Sequence, residues 1–398
     1  MKEGYRLLGD FIQPVDERNR DLKVDYLLGV SISKQFIPSI ANIVGTDLSS
    51  YKIVRTGQFA YGPVTSRNGE KISIALLQDK DCIISSSYTV FEVTDNERLD
   101  PEYLMLWFSR PEFDRYTRYM SHGSVREIFD WDELCKVELP VPSIEKQRGI
   151  VKAYNTITDR IELKRKINDN LAKTIKAVFK SWFLDFDAFD GVELVQSQYG
   201  LIPNGWHYEL LGNLCDCVTK GTTPTTLGKD FTDTGINFIK GESINDDHSF
   251  NKTLFAHIDD KTDELLKRSR IYVNDIVFTI AGTLGKFALV DSSVVPANTN
   301  QAVAIIRTSK IMPAMLYSYF IGEWQVEFYK RNTQQAVQAN LSLGTIKDLP
   351  ILLPDSKGQD HYMQLVTPLI VGMQNIFSEI ERLYELQNQL LARLSSCR

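Results

Sequence analysis

Leu99-Asp100-Pro101-Glu102-Tyr103-Leu104 and Ile311-Met312-Pro313-Ala314-Met315-Leu316 stand 212 residues apart, and the same offset joins their surroundings. It relates Leu106-Trp107-Phe108 to Ser318-Tyr319-Phe320 and Ser124-Val125-Arg126 to Ala336-Val337-Gln338. It also relates Val137-Glu138-Leu139-Pro140-Val141-Pro142 to Leu349-Pro350-Ile351-Leu352-Leu353-Pro354. Identities are few, but an ungapped register held from Leu99 to Pro142 marks an internal repeat, and a repeat decides the architecture before any single element does. The beginnings of the halves match more loosely. Tyr5-Arg6-Leu7-Leu8-Gly9-Asp10 is similar to Tyr208-Glu209-Leu210-Leu211-Gly212-Asn213, and Val54–Phe59 to Ile271–Ile276, a turn entering a strand. The shifting offset predicts loop insertions within one shared fold.

Each globular half leads into a helix. After Pro142 the apolar positions run Ile150, Tyr154, Ile157, Ile161, Leu171, Ile175, Val178 and Trp182, with Lys164 and Asn168 as polar members of the seam. After Pro354 they run Leu369, Met373, Ile376, Ile380, Leu383, Gln387, Leu390 and Leu394. Alternation of four and three with charged flanks is the coiled-coil pattern, and predicts helices of roughly 35–40 residues, or about 50–60 Å. The competing reading is an amphipathic helix packed on its own domain. Pro101 to Tyr119 reads as one helix, Ile271–Ile280 and Gln301–Ile306 as β-rich runs, and Asp187–Gly205 as an interdomain linker.

If the second helix packs on the first, it must run back along it. The predicted fold class is therefore α+β: two globular mixed α/β domains alternating with two long helices that form an antiparallel coiled coil, with pseudo-twofold symmetry. The boundaries are residues 1–143, 144–190, 191–354 and 355–398. Such a body suits two separated sites on a long ligand; on duplex DNA, two modules on one face sit about 34–36 Å apart or somewhat more.

Composition narrows the class. Apolar residues make up 43% and charged residues 24% of 398, as in ordinary globular proteins. No run nears the ~18 apolar residues of a spanning helix, and no signal-peptide core follows Met1, which places the chain in the cytoplasm with no membrane partner. Five irregularly spaced cysteines suit a reducing compartment. A net charge of −6 requires that any DNA-binding cations be local or supplied by a partner.

Catalytic signatures are missing. No glycine-rich methyl-donor loop or Asn/Asp-Pro-Pro-aromatic motif occurs. Gly282-Thr283-Leu284-Gly285-Lys286-Phe287 is too short for a phosphate loop, and Phe287 cannot hold Mg²⁺. Cys215-Asp216-Cys217 with His207 lacks a second ligand pair for zinc. Asp159, Glu162 and Lys164 read as a solvated helix face rather than a nuclease set. The expectation is no catalytic residue and no metal site.

The chain is similar to the specificity subunits of type I restriction–modification systems. Leu139–Val151 resembles that family's segment leading into the central conserved helix, and Phe179-Lys180-Ser181-Trp182-Phe183-Leu184-Asp185-Phe186 the end of that helix. Gly205-Trp206-His207-Tyr208 with Leu210-Leu211-Gly212 resembles the start of a second target-recognition domain. Gly221-Thr222-Thr223-Pro224, Gly282–Lys286 and Asn300-Gln301-Ala302-Val303 are similar to segments of such domains. The resemblance implies a bipartite double-stranded DNA site, with one half read by each target-recognition domain and the gap set by the coiled coil. It implies two modification subunits carrying S-adenosylmethionine and methylating adenine, and restriction subunits using ATP and Mg²⁺. This chain itself would bind no cofactor.

Three departures accompany it. The first half lacks the Gly-Thr-Thr-Pro segment, so the half-sites should differ. Asp355-Ser356-Lys357-Gly358-Gln359 keeps only the Gln of Ser143-Ile144-Glu145-Lys146-Gln147. The chain stops at Arg398, which predicts a short C-terminal docking tail. Two readings of other classes stand beside this one: a protein scaffold without DNA, and an enzyme with an unrecognised site.

Base reading needs amides, hydroxyls and guanidinium groups, and phosphate contact needs cations. In the first half the candidates are Arg67 and Asn68 in a polar loop, and Arg115, Arg118, Ser124 and Arg126 in the basic, Tyr-interleaved run Arg110–Arg126. In the second half they are Lys220, Thr222, Lys286, and Gln334, Gln335 and Gln338 in an amide-rich stretch. Trp182 and Phe183 are either core or a docking face for a modification subunit.

Overall fold

The computed structural model describes residues 4–39, 45–66, 69, 71–123, 127–189, 191–326 and 341–396. The chain divides into two compact units, Met1–Ile161 with Glu381–Arg398, and Glu162–Ile380. Each long helix therefore contributes one part to each unit.

The repeat is written in the topology. Unit 1 holds a four-stranded antiparallel sheet in the spatial order Ile12–Val15, Thr89–Val93, Phe59–Tyr61, Ile74–Leu76. Unit 2 holds one in the order Cys215–Lys220, Val303–Thr308, Ile276–Thr279, Phe287–Leu289. Counted along the chain, the two orders are the same. Tyr5–Leu7 pairs with Glu138–Pro140 as His207–Leu210 pairs with Pro350–Leu353. The Leu8 amide donates to Val137 O and the Leu211 amide to Leu349 O, each at 2.8 Å. Four element starts keep the 212-residue offset: Pro101 and Pro313, Trp131 and Leu343, Glu138 and Pro350, Ile144 and Ser356.

The looser match also holds at atomic detail. Gly57 and Asn274 both take positive φ, at 92° and 72°. Their amides donate to Leu77 O and Val290 O, each at 2.8 Å, so each turn closes in the same way. Beside them the side chains of Gln58 and Asp275 accept from the amides of Arg55 and Tyr272 at 2.8 Å. Insertions distinguish the units. Unit 1 adds the hairpin Leu28–Val30 with Phe36–Pro38 and the pair Lys52–Val54 with Cys82–Ile84. Unit 2 adds a three-stranded sheet of Ala256–Ile258, Ile236–Ile239 and Ala297–Thr299.

The first long helix spans Ile144–Phe183 and the second Ser356–Arg393. Every seam position expected from the heptads is buried or half-buried. Within unit 1, Gln387 Nε2 donates to Thr158 Oγ1 at 2.7 Å. Within unit 2, Lys164 pairs with Glu379 at 2.7 Å, Asn168 Nδ2 donates to Met373 O at 3.4 Å, and the Trp182 ring lies 5.2 Å from that of Tyr362. In unit 2 numbers rise along one helix as they fall along the other, so the pairing there is antiparallel. The one side chain kept at the strand-to-helix corner has the same task twice. Gln147 Nε2 donates to Pro142 O at 2.8 Å, and Gln359 Nε2 to Pro354 O at 2.9 Å.

Two local expectations are corrected. Pro101 to Tyr119 is not one helix but two, Pro101–Phe108 and Pro111–Tyr119. Pro111 has no amide to continue the ladder and forces Arg110 into extended geometry (φ −74°, ψ 139°). The stretch Asp187–Gly205 is not an open linker. Leu194–Ser197 and Gly200–Pro203 form a hairpin in unit 2, turned at Gly200 (φ +115°), and Ile202 is buried in the core.

Candidate nucleic-acid interface

In unit 2 the four-stranded sheet has one end where Lys220, Val303, Thr279 and Phe287 come together. The loops leaving that end are those singled out in the sequence, and they are bonded to one another. The Gly221 amide donates to Asn300 O at 3.0 Å. A Cβ on Gly221 would stand 1.7 Å from Thr299 O, so only glycine permits this approach. Thr223 Oγ1 donates to Gln301 Oε1 at 2.6 Å. The Thr279 hydroxyl ties the next loop by donating to Thr283 O and accepting from the Lys286 amide at 2.9 Å. The Ile280 amide donates to Ala302 O at 2.8 Å, and the Leu341 amide to Ile280 O at 3.0 Å. Four chain segments thus meet at one sheet end.

Cations and a half-buried imidazole lie there too. Lys220 is exposed and has no ion pair among the described residues. Lys286 is held by Asp246 at 2.9 Å. The neighbouring His248 stacks on Phe287 with centroids 4.1 Å apart, and burial pushes its pKa down against the pull of Asp247, Asp246 and Glu323.

Unit 1 repeats the arrangement with other residues. Tyr61, Thr89 and Ile74 mark the corresponding sheet end. Two loops leave it and are bonded at their bases: the Thr65 amide donates to Glu127 O at 3.0 Å, Thr65 Oγ1 to Ser121 Oγ at 2.9 Å, and the Phe129 amide to Pro63 O at 2.9 Å. The helix Pro111–Tyr119 stands beside them. Its Arg118 pairs with Glu127, and its Arg115 reaches Glu112 at 3.4 Å. Tyr119 at its end is 83% exposed.

Seven expected contact residues, Arg67, Asn68, Ser124, Arg126, Gln334, Gln335 and Gln338, lie outside the described residues. Of the others, the structure gathers Lys220, Thr222 and Lys286 at one sheet end, and Arg115 and Arg118 on one helix beside the other. Arg110, which opens the basic run, faces inward: it covers Trp107 at 4.1 Å and donates to Ser395 Oγ at 2.6 Å. The docking role offered for Trp182 and Phe183 does not fit their positions. They are 4% and 2% exposed, packed against Trp206 and Tyr362, and present no face to a partner. Sequence reasoning passed over Thr279, the hydroxyl that ties the Thr283–Lys286 loop to the sheet end. The signal available was a polar residue ending or following an apolar strand.

A family model described as the type I restriction modification DNA specificity domain matches residues 40–173 and 203–382, one match in each repeat. The chain belongs to that family. It is 25% identical over 312 residues to the type I restriction enzyme MjaIX specificity subunit of Methanocaldococcus jannaschii, covering 74% of this chain and 68% of that one. It is 23% identical to the HindI specificity subunit of Haemophilus influenzae, covering 89% of each. The solved type I restriction–modification S subunit from M. genitalium superposes with a TM-score of 0.50 at 14% identity, covering 98% of this chain and 95% of that chain. That likeness shows the fold of a specificity subunit.

Proposed function

We propose that this chain is the DNA-reading subunit of a type I restriction–modification complex, each unit reading one half of an asymmetric two-part site while the paired helices set the gap. The observation that carries the reading is the duplicated sheet end. The same strands in the same order present bonded loops in both units, and the loops differ in sequence. A conserved platform with unlike tips is what two different half-sites require. Lys220, Lys286, Arg115 and Arg118 supply phosphate or base contacts, together with the candidates outside the described residues.

The chain lacks catalytic motifs of its own, so the chemistry belongs to its partners. Two modification subunits methylate adenine with S-adenosylmethionine, and restriction subunits cleave with ATP and Mg²⁺, in the cytoplasm. Leu163, Leu365 and Val371 leave 58%, 41% and 46% of their surface exposed on the long helices, and offer the modification subunits apolar contacts that Trp182 and Phe183 do not. A gel shift with the modification subunit present tests the reading. The logarithm of the apparent affinity should fall linearly with the logarithm of salt concentration, as displaced counterions require. A partner complex that assembles but binds no DNA would return the chain to the scaffold reading.

A further inference from the structure

We propose that the hairpin tip Ser31–Gln35 is an additional DNA-reading element of unit 1, positioned by Lys34 and Asp114; this rests on the reading of unit 1 as a recognition domain. The tip joins Leu28–Val30 to Phe36–Pro38. It is closed by the Ser31 amide donating to Gln35 O at 2.9 Å and the Lys34 amide to Ser31 O at 3.0 Å. Lys34 takes φ +65°, a left-handed backbone that favours glycine. Such strain persists where the surroundings over-determine it.

The surroundings are those of the interface. A lysine at a hairpin tip ordinarily extends into water, yet this side chain is 8% exposed. Its ammonium lies 2.8 Å from Asp114 Oδ1, donates also to Phe108 O, and sits 5.5 Å from the Phe113 ring centre. Asp114 Oδ1 also accepts from the Ile72 amide at 3.2 Å. One carboxylate therefore ties together the hairpin, the chain at Ile72, and the helix carrying Arg115 and Arg118. A buried ion pair adds little net stability over an apolar pair of similar size, so its contribution here is geometric.

With Lys34 turned inward, the tip presents Ile32, Ser33 and Gln35, all exposed. A Gln amide bonds bidentately to adenine, an apolar side chain meets the thymine methyl, and a hydroxyl serves either base. Unit 2 has Val326 at the position matching Asp114. Altering the pair should therefore disturb one half-site and leave the other as an internal control.

The test is methylation by the complex with its modification subunit, across a DNA library varying every base of both half-sites. Gln35→Ala should relax one position of one half-site on the order of 10-fold. Lys34→Met should relax that half-site more broadly. The double variant Lys34→Met with Asp114→Leu should regain melting temperature and still be relaxed, which a merely structural role would not produce. Gln35→Ala and the double variant with wild-type discrimination, or equal loosening of both half-sites, would overturn the proposal. A wild-type complex that methylates no two-part motif would overturn the underlying reading of unit 1, and this proposal with it.

Discussion

Single residues fix what the loops can do. Gly221 admits no side chain, because the Thr299 carbonyl already occupies the space a Cβ would need. Gly221→Ala should destabilise unit 2 by about 1–3 kcal/mol, the usual cost of a forced steric clash, and should lower methylation in step with melting temperature. His248 gives a pH signature. Its folded pKa lies below the usual 6.5, so the unfolded chain takes up its proton first. The stability it contributes is complete above about pH 6.5 and is lost as pH falls through the lowered folded value. His248→Phe keeps a ring on Phe287 without the titration. It should therefore lose less stability than the wild type between about pH 7.5 and pH 5.5, measured by thermal melts; an equal loss would assign the acid sensitivity elsewhere.

At the scale of elements, a buried amide stands in the helix seam. Asn168 is 3% exposed, and its Oδ1 has no hydrogen-bond partner among the described residues. Polar seam residues of this kind cost stability and specify register. Asn168→Leu should raise the melting temperature, by about 1 kcal/mol or more of stability, while admitting methylation at sites with an altered gap. Higher stability with an unchanged gap would move register control to Lys164 and Glu379.

The long helices were legible because the alternation of four and three holds over ten seam positions in one and eight in the other, and noise at one position does not hide it. Short elements lack that redundancy. Pro111 broke a helix that composition alone favoured, and the Leu194–Pro203 hairpin hid in a stretch rich in Gly and Pro. The loops of the interface were identified as polar segments. Their convergence on one sheet end was not legible, since pairings such as Thr223 with Gln301 join residues far apart in the chain. The Lys34–Asp114 pair was missed for the same reason.

For the whole molecule, the offset of 212 residues that joins Pro101 to Pro313 also joins strand to strand and corner to corner, so the two halves are one design used twice. Their tips differ, and variants should therefore separate by half-site. Arg118→Ala should weaken recognition of one half, and Lys286→Ala that of the other. If both relax the same half, the assignment of one unit to each half-site fails. The central claim is best tested by a methylation map: this chain expressed with its modification subunit in a methylation-free host, with modified bases sequenced directly. The expected result is adenine methylation in an asymmetric two-part motif with a fixed gap. A single uninterrupted motif, or unmethylated DNA from a complex shown to assemble, would contradict it.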